Sequence, residues 1–579
     1  MSNLLIKGGT VVDGTGAPAF AADVRIRDGL IAEIGENLSA NGEEVVDAQG
    51  CHVTPGFIES HTHYDATMWF QRDLDPLPGY GATTIINGNC GFSAAPLSND
   101  AEARMEMIKI FSFFEDIPLE PFVNDIPWNW RTWPEYKNAL LEQVKLPTNY
   151  AMFVGHLAIR MAAMGMDAWE RVATPEEIEL MANMLDEALA AGALGLSDNL
   201  HDHDGDNRPV PTLVADDAEF EALLAVLERY PPATYQVIVD TSMRQTGPEM
   251  LERLARLTKG RKIRMQIAGA IPTLVYQRPF MGKMIDTVRR MQAEGYDVWP
   301  GFAHVPPTIT VSLYKSLLFA QSNDYVWHEV VLAEGDEAKM AILRDPDFRA
   351  RARESWDTKT WKHSPFSNPQ DLFLTNPEKG PGPVDMTLKD YADSLGVHPS
   401  DALADWFLAN GVGSTIDMKP MEKDMDITVQ LMKDEKTVGN ISDAGAHLQM
   451  LCGGGENVYL LTEYSRDSDM LTLEQAVHMQ TGKLSNFFGL HDRGELKVGK
   501  RADVAVFNLN EIEVRKREKR YDMPDGKGGF SWRFSRQAAP MRLTLVNGVP
   551  TFDGSKYTGA CPGEFISPAL EERAAIAAE

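Results

Sequence analysis

His61 and His63 stand one residue apart in GFIESHTHYD, at the end of a short apolar run. Side chains alternate along an extended strand, so a His-x-His pair points both imidazoles to one face, as shared coordination of a cation requires. Two polar residues at a strand end would read the same way. The position of this pair, just beyond a β-rich opening segment, favours the metal reading. The four cysteines, Cys51, Cys90, Cys452 and Cys561, are scattered without framework spacing. That fits a reducing compartment and makes any working cysteine a ligand rather than half of a disulfide.

A cation site needs rigid elements to hold it, and 579 residues allow a large core and more than one domain. The composition, 44% hydrophobic and 24% charged, is that of a soluble globular protein. No apolar run approaches the roughly 20 residues that span a bilayer. The opening MSNLLIKGGTVVDG lacks the features of an export signal, so a cytoplasmic location is expected. A formal charge of −29 argues against nucleic acid and anionic membrane partners. A small-molecule substrate and a second copy of the chain, as a homo-oligomer, remain.

Residues 1–55 read as short alternating strands broken by Gly and Asp turns, and GKRADVAVFNL and MRLTLVNGVPTFDG repeat that style within residues 488–555. The two ends are expected to meet in one small β-sandwich. Between them, apolar runs such as ATTIIN, YAMFVGH, ALGLSD, TYQVIVD, IRMQIAG and DVWPGFAH alternate with helical patterns. Buried parallel strands read as such continuous runs, with function in the loops after them, so residues 56–487 predict an α/β fold, a (β/α)8 TIM-like barrel. PEEIELMANMLDEALAAG is its clearest helix, with Thr174 as N-cap and Pro175 at the first position. Residues 306–435 look largely helical and too long for one connection, so they are expected to be an insertion over the barrel mouth. Residues 556–579 read as a C-terminal tail.

The order of β unit, PGFIESHTH, barrel, SDAGAH and GELKVGKRADVAVF resembles the amidohydrolase superfamily. GATTIINGNCGFSAAPL, GHLAIR, TPEEIELMANMLDEALAAGALGLS and HDRGELKVGKRADVAVF resemble its D-aminoacylase (N-acyl-D-amino-acid deacylase) family across nearly the whole chain. The resemblance implies amide hydrolysis with one or two divalent ions, zinc foremost, at His61, His63, Cys90 as a thiolate ligand and Asp443. Zinc accepts imidazole and thiolate and lowers the pKa of bound water to roughly 7. Asp443 would take a proton from that water and pass it to the departing amine. Cys90 could equally be a small buried hydrophobe, and Asp443 a turn acid.

The resemblance breaks at one place. Histidines expected on strands five and six fall on Ile238 and Gly269, and no histidine lies between His203 and His304. Other donors are therefore candidates as ligands or substrate contacts: His156, Asp198, His201, His203, Asp240, His304 and His447. HDHDGD is the richest cluster, although an exposed polar loop explains it as well. The arginines that hold the family's substrate carboxylate after strands five and eight are also absent from VIVDTS and DAGAHLQMLC. Arg160 and Arg278 are alternative anion partners. The expected function is metal-dependent hydrolysis of an amide-type C–N bond, in an N-acyl amino acid or related amide. A metal-poor scaffold, or ester, lactone or decarboxylation chemistry on the same barrel, are the competing readings.

Overall fold

The computed structural model describes residues 3–206, 208–240, 246–268, 279–305, 308–314, 326–358, 372–418, 424–568 and 570. The opening alternation forms strands Leu4–Val11, Phe20–Arg27, Leu30–Gly35, Glu44–Asp47 and His52–Pro55. They share one eight-stranded sheet with Val504–Phe507, Met541–Val546 and Val549–Phe552 from the other end of the chain. The seam is antiparallel, with Val53 opposite Val506. Leu4, Ile6, Val24 and Val53 bury against Val504, Val506 and Leu545 in one apolar cluster. At the Asn547-Gly548 turn both residues are left-handed, with φ of 50° and 75°, the backbone that a two-residue hairpin with the native twist requires.

Two parallel sheets lie between the ends. Phe57–Glu59, Ala82–Asn87 and Asn149–Met152 form one. Val154–Gly155, Gly195–Leu200, Thr234–Val239, Arg264–Ala268 and Val298–Pro300 form the other. Ala82–Asn87 and Gly195–Leu200 are buried along their whole length, because helices cover such sheets and no alternation survives. Pro175–Ala190 is one of these crossover helices. Thr174 and Glu177 close a reciprocal capping box at its start, which satisfies two orphan amides. Ile441–Ala444 pairs in parallel with His61–Thr62, and Gly301 bridges Val438 in the same sense.

The stretch from Val311 to Met418 has a core of its own, including Trp327, Phe348, Leu372, Trp406 and Ile416. Its helices include Asp336–Arg344, Pro346–Thr358 and Pro399–Asn410. They accompany a four-stranded antiparallel sheet that sequence reading did not anticipate, since its strands are too short to show an alternation. A second departure concerns Arg517–Pro524 and Phe530–Arg536. They pair only with each other among the described residues, outside the terminal sheet to which the sequence assigned them. This hairpin hangs on buried Asp75, whose Oδ2 accepts from Arg520 Nη1 at 2.5 Å and from Ser535 Oγ. It also docks on the segment after His447, where Phe534 N donates to Leu448 O at 2.7 Å. Among the described residues no helix is long and apolar enough to cross a membrane.

Candidate metal centre

His61 and His63 are both 3% exposed at the C-terminal end of their strand. Their Nε2 atoms lie 3.1 Å apart, and Cys90 Sγ is 3.2 Å from His61 Nε2. Asp443 Oδ1 stands 3.4 Å from His61 Nε2 and 3.7 Å from His63 Nε2. Asp443 reaches this point because the pairing of Ile441–Ala444 with His61–Thr62 slips between Ile441 and Ala444. Cys90, Asp443 and His447 all take left-handed backbone, with φ of 53°, 51° and 51°, a conformation that costs a side-chain-bearing residue energy and clusters at functional sites.

The Cys90 turn is clamped from strands Gly195–Leu200 and Thr234–Val239. Cys90 N donates to Gln236 Oε1 at 2.7 Å, Asn199 Nδ2 donates to Cys90 O at 3.1 Å, and Gly91 N donates to Ser197 Oγ at 3.2 Å. Gly91 must be glycine, because its φ is 74° and a Cβ there would stand 2.7 Å from Asn199 N. Behind His63, Glu115 Oε1 lies 3.1 Å from Nδ1, though not aligned as a linear hydrogen bond. Sequence reasoning missed Glu115 and Gln236. The one available signal for Glu115 was an acid inside the aromatic run FSFFED, since acids are rarely fully buried without a partner.

The electrostatics follow this packing. Burial pushes His61 down to about 4. Burial also works against a charged His63, but Glu115 and Asp443 outweigh it and hold His63 well above its ordinary value. Burial pushes Glu115 up to about 8 and the Cys90 thiol up to about 12. For Asp443 burial is outweighed by His63 and His61, which keep its carboxyl below the usual range. A buried thiol with so high a pKa needs a cation to become a ligand, and a metal supplies that charge outright.

Three donors of metal-binding type, His61, His63 and Cys90, thus lie mutually close, and Asp443 stands beside the two histidines. Ligands at bonds of roughly 2.0–2.3 Å around a tetrahedral ion stand roughly 3.3–3.8 Å apart, and the four donors here are separated by a similar 3.1–3.7 Å where contacts are seen. Two imidazoles, a thiol and a carboxylate fit one borderline-soft divalent ion.

The remaining candidates lie elsewhere. His156 is fully buried between Asp198 Oδ2 at 2.9 Å and Glu219 Oε1 at 2.7 Å. Arg160 pairs with the same Glu219, and Tyr235 hydroxyl donates to Asp198 at 2.9 Å. These are a closed structural network, not ligands. His201 Nδ1 is 3.4 Å from Asp240 Oδ1. His203 Nδ1 lies 2.9 Å from Asp204 O, and His304 Nε2 lies 2.8 Å from Glu456 O. None of these six joins His61, His63 and Cys90 in a cluster of close donor atoms. His447 does approach: its backbone N donates to Glu115 O, and its ring, pushed down to about 4 by burial, feels the charge of Asp443. Ile238 packs on the apolar core. Gly269 and Arg278 lie outside the described residues.

Asp443 opens onto a cavity of about 400 Å³, with Ala303, Thr308, Cys452, Glu456, Lys516 and Arg536 among its walls. Its side chain is 37% exposed there, while both histidines are closed off behind it.

A family model described as "Amidohydrolase family" matches residues 44–307 and 417–552. The unmatched stretch between them is the one with its own core. The chain is 26% identical to D-aminoacylase of Alcaligenes xylosoxydans xylosoxydans, covering 98% of this chain and 97% of that protein. It is 27% identical to N-acyl-D-glutamate deacylase of the same organism, over 88% of each. In structure it resembles N-acyl-D-glutamate deacylase from Bordetella bronchiseptica, solved with zinc and a phosphonate inhibitor, at a TM-score of 0.66 and 24% identity over 98% of this chain and 99% of that one. The chain belongs to the amidohydrolase family, among its D-aminoacylase-like members, and is a hydrolase of C–N bonds.

Proposed function

We propose that this protein hydrolyses the amide bond of an N-acyl amino acid or a related amide, using one divalent ion, zinc foremost, held by His61, His63, Cys90 and Asp443. The observation that carries the reading is the cluster of His61, His63 and Cys90 with Asp443 standing against both histidines, beneath a cavity to which Asp443 alone of the four is broadly open. The zinc and the phosphonate inhibitor of the Bordetella relative support the metal and the amide chemistry. A binuclear centre is named for a D-aminoacylase of similar fold, and we infer a single ion here. Ile238, where the resemblance expects a histidine, offers no donor and packs on the apolar core.

His61, His63, Cys90 and Asp443 would hold the ion, which would supply Lewis acidity to a water and to the substrate carbonyl. Asp443 accepts the water proton at Oδ2, the oxygen left free by coordination through Oδ1, as the new C–O bond forms, then returns it to the nitrogen as the C–N bond breaks. The products are a carboxylic acid and an amine. Glu115 holds the His63 ring from behind, and the Gln236 and Asn199 bonds hold the Cys90 turn, so the donors are aimed before substrate arrives.

The scaffold we infer is a closed barrel. The two parallel sheets meet through the continuous run Asn149–Gly155, and Ile441–Ala444 with the Gly301–Val438 bridge joins their outer edges. The eight-stranded terminal sheet folds over its apolar cluster as a sandwich drawn from residues 1–55 and 488–555, from which the hairpin Arg517–Arg536 stands apart, with a domain inserted around 306–435. All four cysteines are free, in keeping with a cytoplasmic enzyme.

Metal analysis with an assay for released amine tests the function. About one equivalent of metal is expected in the wild type, falling below about a tenth in His61→Ala/His63→Ala together with amine release from N-acetyl amino acids. Full amine release by the metal-poor double variant would sink the reading.

A further inference from the structure

The chain carries a formal charge of −29, yet the cavity beside Asp443 is lined by Arg515, Lys516, Arg517 and Arg536. The carboxylates lining it are Asp443 and Glu456, and burial pushes Glu456 up to about 7. A positive wall on so acidic a protein focuses anions toward the cleft.

The four cations differ in what they have left to offer. Arg517 is committed, donating from Nη2 to Asp417 Oδ1 and from Nη1 to Thr308 O, both at 2.8 Å. Arg515 pairs with Glu513 at the exposed rim. Lys516 is exposed there and makes no ion pair among the described residues. Arg536 is different: it is held in place with no ion pair among the described residues, and the acid whose charge it feels is Glu456. Its Nε lies 3.3 Å from Cys452 Sγ and its Nη2 donates to Cys452 O at 2.9 Å. These hydrogen-bond partners are a thiol and a carbonyl, so no carboxylate closes on the guanidinium. The glycine run after Cys452 makes the room: a Cβ on Gly455 would stand 3.3 Å from Arg536 Nη1. The hairpin that carries Arg536 is fixed to Asp75 and to Leu448, so the guanidinium keeps register with the segment that carries Asp443.

Building on the amide reading, we propose that Arg536, with Lys516 at the rim, binds the carboxylate of the substrate, and that the hairpin Arg517–Arg536 is the specificity element of this enzyme. A planar guanidinium already oriented by Cys452 meets a carboxylate with less ordering cost than a free side chain. The anion subsite is thereby supplied from the C-terminal part of the chain, outside the segments after strands five and eight.

The test compares N-acetyl amino acids with their uncharged carboxamides, assayed on metal-loaded enzyme. Wild type is expected to favour the carboxylate by about thirtyfold or more in kcat/KM, and Arg536→Gln to lose about a hundredfold on the carboxylate, mostly in KM, while staying within about threefold on the carboxamide. The rim change Lys516→Glu, at an exposed position that cannot disturb the core, is expected to raise KM for the carboxylate alone by about tenfold. Calorimetric titration of Asp443→Asn with the N-acetyl amino acid, with and without Arg536→Gln, reads the same loss as binding. If Arg536→Gln does not fold, the Lys516→Glu comparison decides. Turnover of both substrates without charge preference, or a preference that survives these changes, overturns the anion site and leaves the amide reading standing. No amine from either substrate overturns both.

Discussion

Asp443 Oδ1 lies 3.4 Å from His61 Nε2, across the parallel pairing that joins Ile441–Ala444 to His61–Thr62. One side chain therefore touches the donor cluster and the substrate cavity at once. Asp443→Asn keeps the shape but not the basicity, and kcat is expected to fall by about 10²–10⁴ with the fold intact. Steady-state kinetics beside circular dichroism check this, and a loss smaller than tenfold would remove Asp443 from proton transfer.

Glu115 acts through His63 and not on substrate. Glu115→Gln is expected to weaken metal affinity by about 10–100-fold, measured by competition with a chelator, with KM of the fully loaded enzyme little changed. A variant that binds metal as tightly as wild type would make the 3.1 Å approach to Nδ1 incidental.

The cluster that looked richest in sequence shows where pattern reading stops. HDHDGD offered ligands by composition, but two of its acids are taken up locally: Arg208 Nε donates to Asp204 at 2.6 Å, and Asn199 Nδ2 donates to Asp202 at 2.6 Å. His61 and His63 were legible because alternation along a strand fixes their common face. Cys90 and Asp443 were legible only through family resemblance, since nothing local marks a left-handed cysteine. Glu115, Gln236 and Arg536 were not legible. Each reaches the site through tertiary packing, and Arg536 arrives on a hairpin whose alternation looks like any terminal strand. The all-buried parallel strands, by contrast, were readable as continuous apolar runs, whereas the short sheet within Val311–Met418 left too few residues to show a period.

The His156 network makes the stability pH-dependent. Burial disfavours its imidazolium, but Asp198 and Glu219 outweigh this and push it up to about 9. Because the folded value is the higher one, its contribution is complete below the ordinary 6.5 and disappears as pH rises through about 9, an effect on the order of 3 kcal/mol. Urea midpoints at pH 6.5, 8 and 9.5 should fall in that order for wild type. In Glu219→Gln they should start lower and fall less. Parallel curves for the two proteins would count against the network as their source.

Metal removal should be felt by the fold. The donor side chains come from strand ends far apart in sequence, so a bound ion ties His61 to Asp443 across the first and last parallel strands. Chelation is expected to lower the thermal midpoint by several degrees, reversed by adding zinc. Identical melting curves with and without chelator would contradict a resident ion.

The left-handed backbone at Cys90, Asp443 and His447 has an evolutionary meaning. Glycine would sit more comfortably at any of the three, so variation there can gain heat resistance only by surrendering chemistry. A library of this chain selected for thermal survival alone should erode first at these positions, and one selected for turnover should never lose them.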